Sequence, residues 1–157
     1  MAITKRFDRA LFEANDKRCR DKVKELLAGI DVRDNPKKMG VDLQVFVNNE
    51  HMFNIECESK SHWAEEKFQY EDLNLPARKE KYTQLDKPTL FIIFSKDLSN
   101  HFLIPQDVLV TSPKVEVKNR YVYNGELFFK VDLKRAILNG LKDMVEQMMN
   151  SNIKRSV

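Results

Sequence analysis

The chain has 157 residues, an apolar share of 42%, ten phenylalanines and a charged share of 32%, enough to bury one core, but not two, beneath a heavily solvated surface. Lysine and arginine number 27 against 24 acids, a formal net charge of +3. That excludes a histone-like protein or a polybasic membrane binder, and a polyanionic partner would need the positive charge gathered on one face.

Two distant cysteines, Cys19 and Cys57, have no metal or redox spacing. The start of the chain lacks an apolar signal core, and no run reaches transmembrane length. A reduced, soluble, cytoplasmic protein with no membrane partner is expected.

From Ile3 to about Ala28, Phe7, Leu11, Cys19, Val23, Leu26 and Leu27 recur at roughly helical period. They predict one long amphipathic helix, bent near Asn15-Asp16 and stopped by Gly29. Asp31 to Gly40 reads as a polar connection. Val41 to Val47 and Phe53 to Lys60 read as two short strands joined by a tight turn. Ser61 to Pro76 reads as a loop or short helix, and about Ala77 to Leu85 as a basic helical segment carrying Arg78, Lys79 and Lys81. Thr89 to Phe94, uniformly apolar and rich in β-branched and aromatic residues, predicts a strand buried on both faces.

Phe102 to Pro105 and Val108 to Val110 are further strand candidates. Tyr121 to Tyr123 and Leu127 to Phe129 flank Asn124-Gly125, a hairpin signal. Asp132 opens the closing helix, with Leu133, Ile137, Leu141, Met144, Val145 and Met148 on one side, and the polar tail from Asn150 is expected to fray. The order predicts an α/β fold with a mixed central sheet flanked by helices.

The chemistry gathers at the first strand pair. Side chains two apart on a strand share a face, so Glu56, Glu58 and Lys60 project together at a spacing of roughly 7 Å. In a hairpin, Asp42 at the start of the first strand meets the end of the second. Converging carboxylates repel unless a positive group lies between them, and a hard divalent cation suits oxygen ligands. A lysine beside such a cation can position or deprotonate water while the metal stabilises charge on a phosphate oxygen. This is equipment for phosphodiester hydrolysis.

The competing reading is a half-exposed strand with Ile55 and Cys57 inward and paired charges outward. Against it stand the wholly apolar strand expected alongside and Ser59, which interrupts the inward face where the motif ends. Trp63 reads more simply as core than as a base-stacking platform. The scattered His51, His62 and His101 complete no zinc set.

In Asp42, Glu58-Ser59-Lys60 and the order of elements, the chain resembles the PD-(D/E)XK nuclease superfamily over about residues 5 to 112. The resemblance implies a restriction-endonuclease-like core in a single domain spanning 1–157, with the later hairpin and closing helix, 113–150, as additions. It implies a magnesium- or manganese-dependent DNA endonuclease. Asp42 and Glu58 would be metal ligands, the Ser59 carbonyl would complete the set, and Lys60 would lie beside the attacking water.

Members often add a glutamate from the first helix. Glu13 and Glu25 are the candidates, and Glu13 is preferred because it sits amid Leu11, Phe12 and Ala14. Val41 stands where the family name has proline. Glu56 is an additional acid able to share the metal role or face the substrate. Arg78, Lys79 and Lys81 would track a DNA backbone or form a solvated face, with Lys79 also supporting the site. The closing helix offers a homodimer seam, and the small layout suits a phage or mobile-element enzyme. The rival expectation is a catalytically inactive nucleic-acid-binding or assembly module of the same fold.

Overall fold

Residues 9–37, 40–64, 67–117 and 125–155 are described by the computed structural model. Helix α1 (Arg9–Leu26) runs through Asn15 and Asp16 without interruption. Cys19 and Val23, with Leu27 just beyond the helix, are buried one turn apart as a single stripe. Gly29 turns the chain at φ 92°, a left-handed conformation open to glycine at little cost.

The polar stretch that follows is not all connection. Asp31–Asp34 forms β1, antiparallel to β2 (Leu43–Val47). It is an edge strand, and its charged, exposed residues are what an edge that resists further pairing carries. Strand β3 (Glu50–Ser59) folds back from β2 through Asn48 and Asn49, both at positive φ, as a two-residue hairpin turn requires. The register shifts by one between Val45, opposite Phe53, and Phe46, opposite His51.

Strand β5 (Thr89–Phe94) lies parallel to β3 and is buried throughout. Its alternation serves two cores. Leu90, Ile92 and Phe94 join Cys19, Val23, Ile55 and Cys57 beneath α1, whereas Phe91 and Ile93 enter a second cluster on the other face. Strand β6 (His101–Ile104) follows, and with β9 (Ile137–Leu138) the main sheet has the order β1-β2-β3-β5-β6-β9.

A second, antiparallel sheet covers the far face in the order β4-β8-β7, from β4 (Asp72–Pro76), β7 (Lys114–Val117) and β8 (Glu126–Asp132). Leu73, Leu75, Phe129 and Val131 cluster with Phe91, Ile93, Phe102, Ile104 and Trp63. Helix α3 (Leu141–Arg155) packs Leu141 and Val145 on the α1 side, with Met144, Met148 and Met149 partly buried there. Its apolar stripe therefore serves the core, and the dimer seam expected on this helix is left only half-covered methionines. No helix among the described residues is long and apolar enough to cross a membrane.

Several expectations are corrected. The loop or short helix expected before Pro76 contains β4, whereas the basic segment is helical as expected, a 3-10 helix at Ala77–Thr83. Val108 to Val110 belongs to α2 (Gln106–Val110), begun by Pro105. A three-residue apolar run carries no period, so sequence alone could not separate strand from helix. Tyr121 to Tyr123 lies outside the described residues. Leu127 to Phe129 pairs with Lys114 to Glu116 instead. Asp132 caps only a short 3-10 turn, Leu133–Arg135, by accepting from the Lys134 amide at 2.9 Å. The closing helix starts at Leu141 because Asn139 and Gly140 turn at positive φ, and Asn139 is tied to His101 by backbone and side-chain hydrogen bonds.

Candidate functional site

Asp42 sits just ahead of β2. Its backbone N–H donates to Glu56 Oε1 at 3.1 Å, and its own Oδ2 accepts from the Cys57 amide at 2.9 Å. The preceding loop is closed by Asn35, whose Nδ2 donates to the Val41 carbonyl at 2.9 Å. Gly40 lies against that amide so closely that a β-carbon would collide with it. Asp42 is thus held at the mouth of a cleft of about 480 Å³ lined by Asp16, Cys19, Glu56, Glu58, Ser59, Arg78, Lys79 and Lys81, among others.

The structure brings together Asp42, Glu56, Glu58 and Ser59. It does not bring Glu13 or Lys60 into the cleft lining. Glu13 is exposed, and Glu25 is exposed and paired with Lys22. The helix acid that enters is Asp16, within hydrogen-bonding reach of Asp42. A signal for it existed: Asp16 lies three residues before Cys19, so it continues the buried Cys19, Val23, Leu27 stripe toward the hairpin.

Strand alternation carries Glu56 and Glu58 to one face, and just past the end of β3 the Lys60 N–H still donates to the Phe94 carbonyl at 3.0 Å. The Lys60 ammonium donates to the Asn74 carbonyl at 2.8 Å and stands 3.6 Å from Glu58 Oε2. The ammonium inside the cleft belongs to Lys79, 3.6 Å from both Glu56 Oε2 and Glu58 Oε1. A 3-10 helix has about three residues per turn, so Arg78 and Lys81 share its outer side while Lys79 turns inward. Arg78 and Lys81 are exposed, and Lys79 is buried.

The electrostatics follow from this crowding. Burial, the Asp42 charge and a hydrogen bond with Asp42 raise the Asp16 carboxyl to about 6. Burial, the Glu56 charge and a hydrogen bond with Glu56 raise Asp42 to about 7. Burial also works to raise Glu58, but the Lys79 and Lys60 ammoniums outweigh it and leave it below its ordinary value. Burial opposes the charge on Lys79, yet Glu58, Glu56 and Asp42 hold it protonated above the usual lysine range. Burial keeps the Cys19 thiol un-ionised, pushed up to about 11, so no thiolate ligand competes at neutral pH.

No protein-family model matches the chain, and no curated protein matches it. A solved bacterial homing endonuclease shares this fold. That structure, I-Ssp6803I, aligns with a TM-score of 0.51 and 10% sequence identity over 92% of this chain and 96% of its own. At this identity the likeness is one of fold: a mixed central sheet flanked by helices, similar to that of a nuclease.

The donor set suits a hard divalent ion, because Asp16, Asp42, Glu56 and Glu58 offer carboxylate oxygens and the thiols stay protonated. Among the described residues, no three acidic, cysteine or histidine side chains are yet gathered around one point. Lys79 holds two of the four carboxylates.

Proposed function

We propose that the protein is a metal-dependent DNA endonuclease that hydrolyses phosphodiester bonds at the cleft beside Asp42. The observation that carries this reading is the convergence of Asp16, Asp42, Glu56 and Glu58 on one open cleft edged by Arg78 and Lys81, where burial and a neighbouring carboxylate raise Asp16 to about 6, although Arg20 lies 2.8 Å from it, and Asp42 to about 7. Folding has concentrated negative charge where a cation would relieve it. The shared fold with a homing endonuclease supports DNA as the substrate.

Asp42, Glu56 and Asp16, with Glu58, supply oxygens for magnesium or manganese, and the Ser59 carbonyl lies at the same strand end. When bound, the ion neutralises charge on the phosphate and makes a water a stronger nucleophile. With a metal held by those carboxylates, the Lys79 ammonium, 3.6 Å from Glu56 and Glu58, would be the cation available to the substrate phosphate. Lys60 holds Glu58 from the far side and is a positioning residue. Arg78 and Lys81, at the rim, pair with flanking phosphates.

The test is cleavage of supercoiled plasmid, linear duplex, single strand and four-way junction, with magnesium or manganese against EDTA. Cutting that needs the metal and is lost in Asp42→Asn is expected; no cutting of any substrate would overturn the reading. One observation favours a second reading, a non-catalytic nucleic-acid-binding or assembly module: the Lys79 ammonium already stands as a counter-charge 3.6 Å from both Glu56 and Glu58. Metal-independent DNA binding without cleavage is its signature.

A further inference from the structure

Lys60 links the carboxylate cleft to a second one. Its ammonium is 3.6 Å from Glu58 in the first, and its side chain helps wall a cleft of about 350 Å³ with His62, Phe68, Tyr70, Asp72 and Asn74. Three of these walls are rings. His62 meets Tyr70 edge-on with centroids 5.2 Å apart, and Phe68 lies 5.4 Å from Tyr70. Phe68 is itself fixed against Trp63 and Phe102 in the core, while Tyr70 leaves 54% of its surface exposed. A large ring standing in water on a firm aromatic backing is a ready stacking surface.

Charge is available beside it. An ammonium has three N–H donors, and Lys60 directs one to Asn74 and leans on Glu58, which leaves a donor for a ligand. The acid in the wall, Asp72, is offset by Lys130 at 3.6 Å. Burial and the Lys60 charge depress His62 below its ordinary value, so at neutral pH it contributes an uncharged ring.

Aromatic faces interleaved with positive charge are how single nucleotides of a strand are held without sequence readout. We propose that this second cleft is a nucleotide subsite, with Lys60 on the phosphate and the Tyr70 and His62 rings on the base of the nucleotide next to the phosphodiester at Asp42. The proposal rests on the nuclease reading of the first cleft. It also gives a second function to Lys60, which on the carboxylate side only holds Glu58.

Two measurements test it. In EDTA, where no cutting occurs, deoxynucleoside 5′-monophosphates are titrated against the full chain by NMR, with inorganic phosphate as the control. Shifts of the His62 and Tyr70 ring signals by the nucleotide, weaker with phosphate alone and lost in Tyr70→Ala, are expected. In cleavage assays on a short oligonucleotide, Tyr70→Ala is expected to raise KM about tenfold, more than it lowers kcat, with Tyr70→Phe restoring the parent value.

Unmoved ring signals, or a KM in Tyr70→Ala equal to the parent's, would overturn the subsite while leaving the nuclease reading in place. Ring shifts with the mononucleotide in a protein that cuts nothing would sustain the subsite and remove the nuclease reading. Thermal unfolding of Tyr70→Ala, and the behaviour of Tyr70→Phe, separate a lost contact from a lost fold.

Discussion

On folding, Asp42 loses water to burial and gains Glu56 as a neighbour, and together these hold its proton up to about 7 against the hydrogen bonds from Cys57 and Asp16, which lower it. An unfolded aspartate titrates near 3.9, so between those values the folded state binds more protons and stability falls as pH rises. His101, buried and held down to about 4, works in the opposite sense between about 4 and 6.5 and is neutral in both states above that. In EDTA the melting temperature of the parent should therefore drop from pH 6.5 to 8, with a slope of at most about 1.4 kcal/mol per pH unit for one proton. Asp42→Asn should flatten that drop. An unchanged slope in the variant would place the titration elsewhere.

Lys79 carries a second prediction at the same scale. Removing one member of a buried ion pair leaves the other charge uncompensated, at a cost of about 3–5 kcal/mol, and Lys79→Ala takes the neighbouring ammonium from Glu56 and leaves Glu58 with Lys60. Urea unfolding should show a loss of that order. Manganese should recover part of it, since a cation can take the vacated position. Cutting by Lys79→Ala should fall by about 100-fold or more, whereas Lys60→Ala should show a larger effect on KM than on kcat. Equal kinetic defects in the two variants would refute this division of labour.

Among the elements, those with a strong period were legible. The 3.6-residue recurrence of Cys19, Val23 and Leu27 marked α1, and the unbroken run of Thr89 to Phe94 marked the doubly buried β5. Segments without a period were misread: Asp72–Pro76 and Asp31–Asp34 are strands because partners in β8 and β2 accept them, which no local pattern announces. Gly29 is the stop the sequence suggested, and its φ of 92° is unfavourable for a side chain although nothing crowds it. Gly29→Ala should cost about 1 kcal/mol, a fall in melting temperature of roughly 2–4 °C. Calorimetry checks this, and a neutral or stabilising effect would show that the turn adapts.

For the whole molecule, a net charge of +3 is too small to bind DNA everywhere, so affinity should come from the rim of the carboxylate cleft. In EDTA, where the reading above expects no cutting, affinity should fall linearly with the logarithm of salt concentration. Arg78→Ala and Lys81→Ala should each reduce the slope by about one. A slope unmoved by both variants would shift the DNA to another face.

The sequence by itself determined the class of fold and the hairpin that displays Asp42, Glu56 and Glu58, because strand alternation and hydrophobic period are local properties of the chain. Only the tertiary structure decided which helix acid joins them and which lysine stands among them. Asp16 and Lys79 reach the cleft through the packing of α1 and the turn of a 3-10 helix, and the Lys60 ammonium is drawn out of it by the Asn74 carbonyl of β4. Those outcomes depend on where separate elements come to rest against one another, and spacing along the chain does not contain that distance.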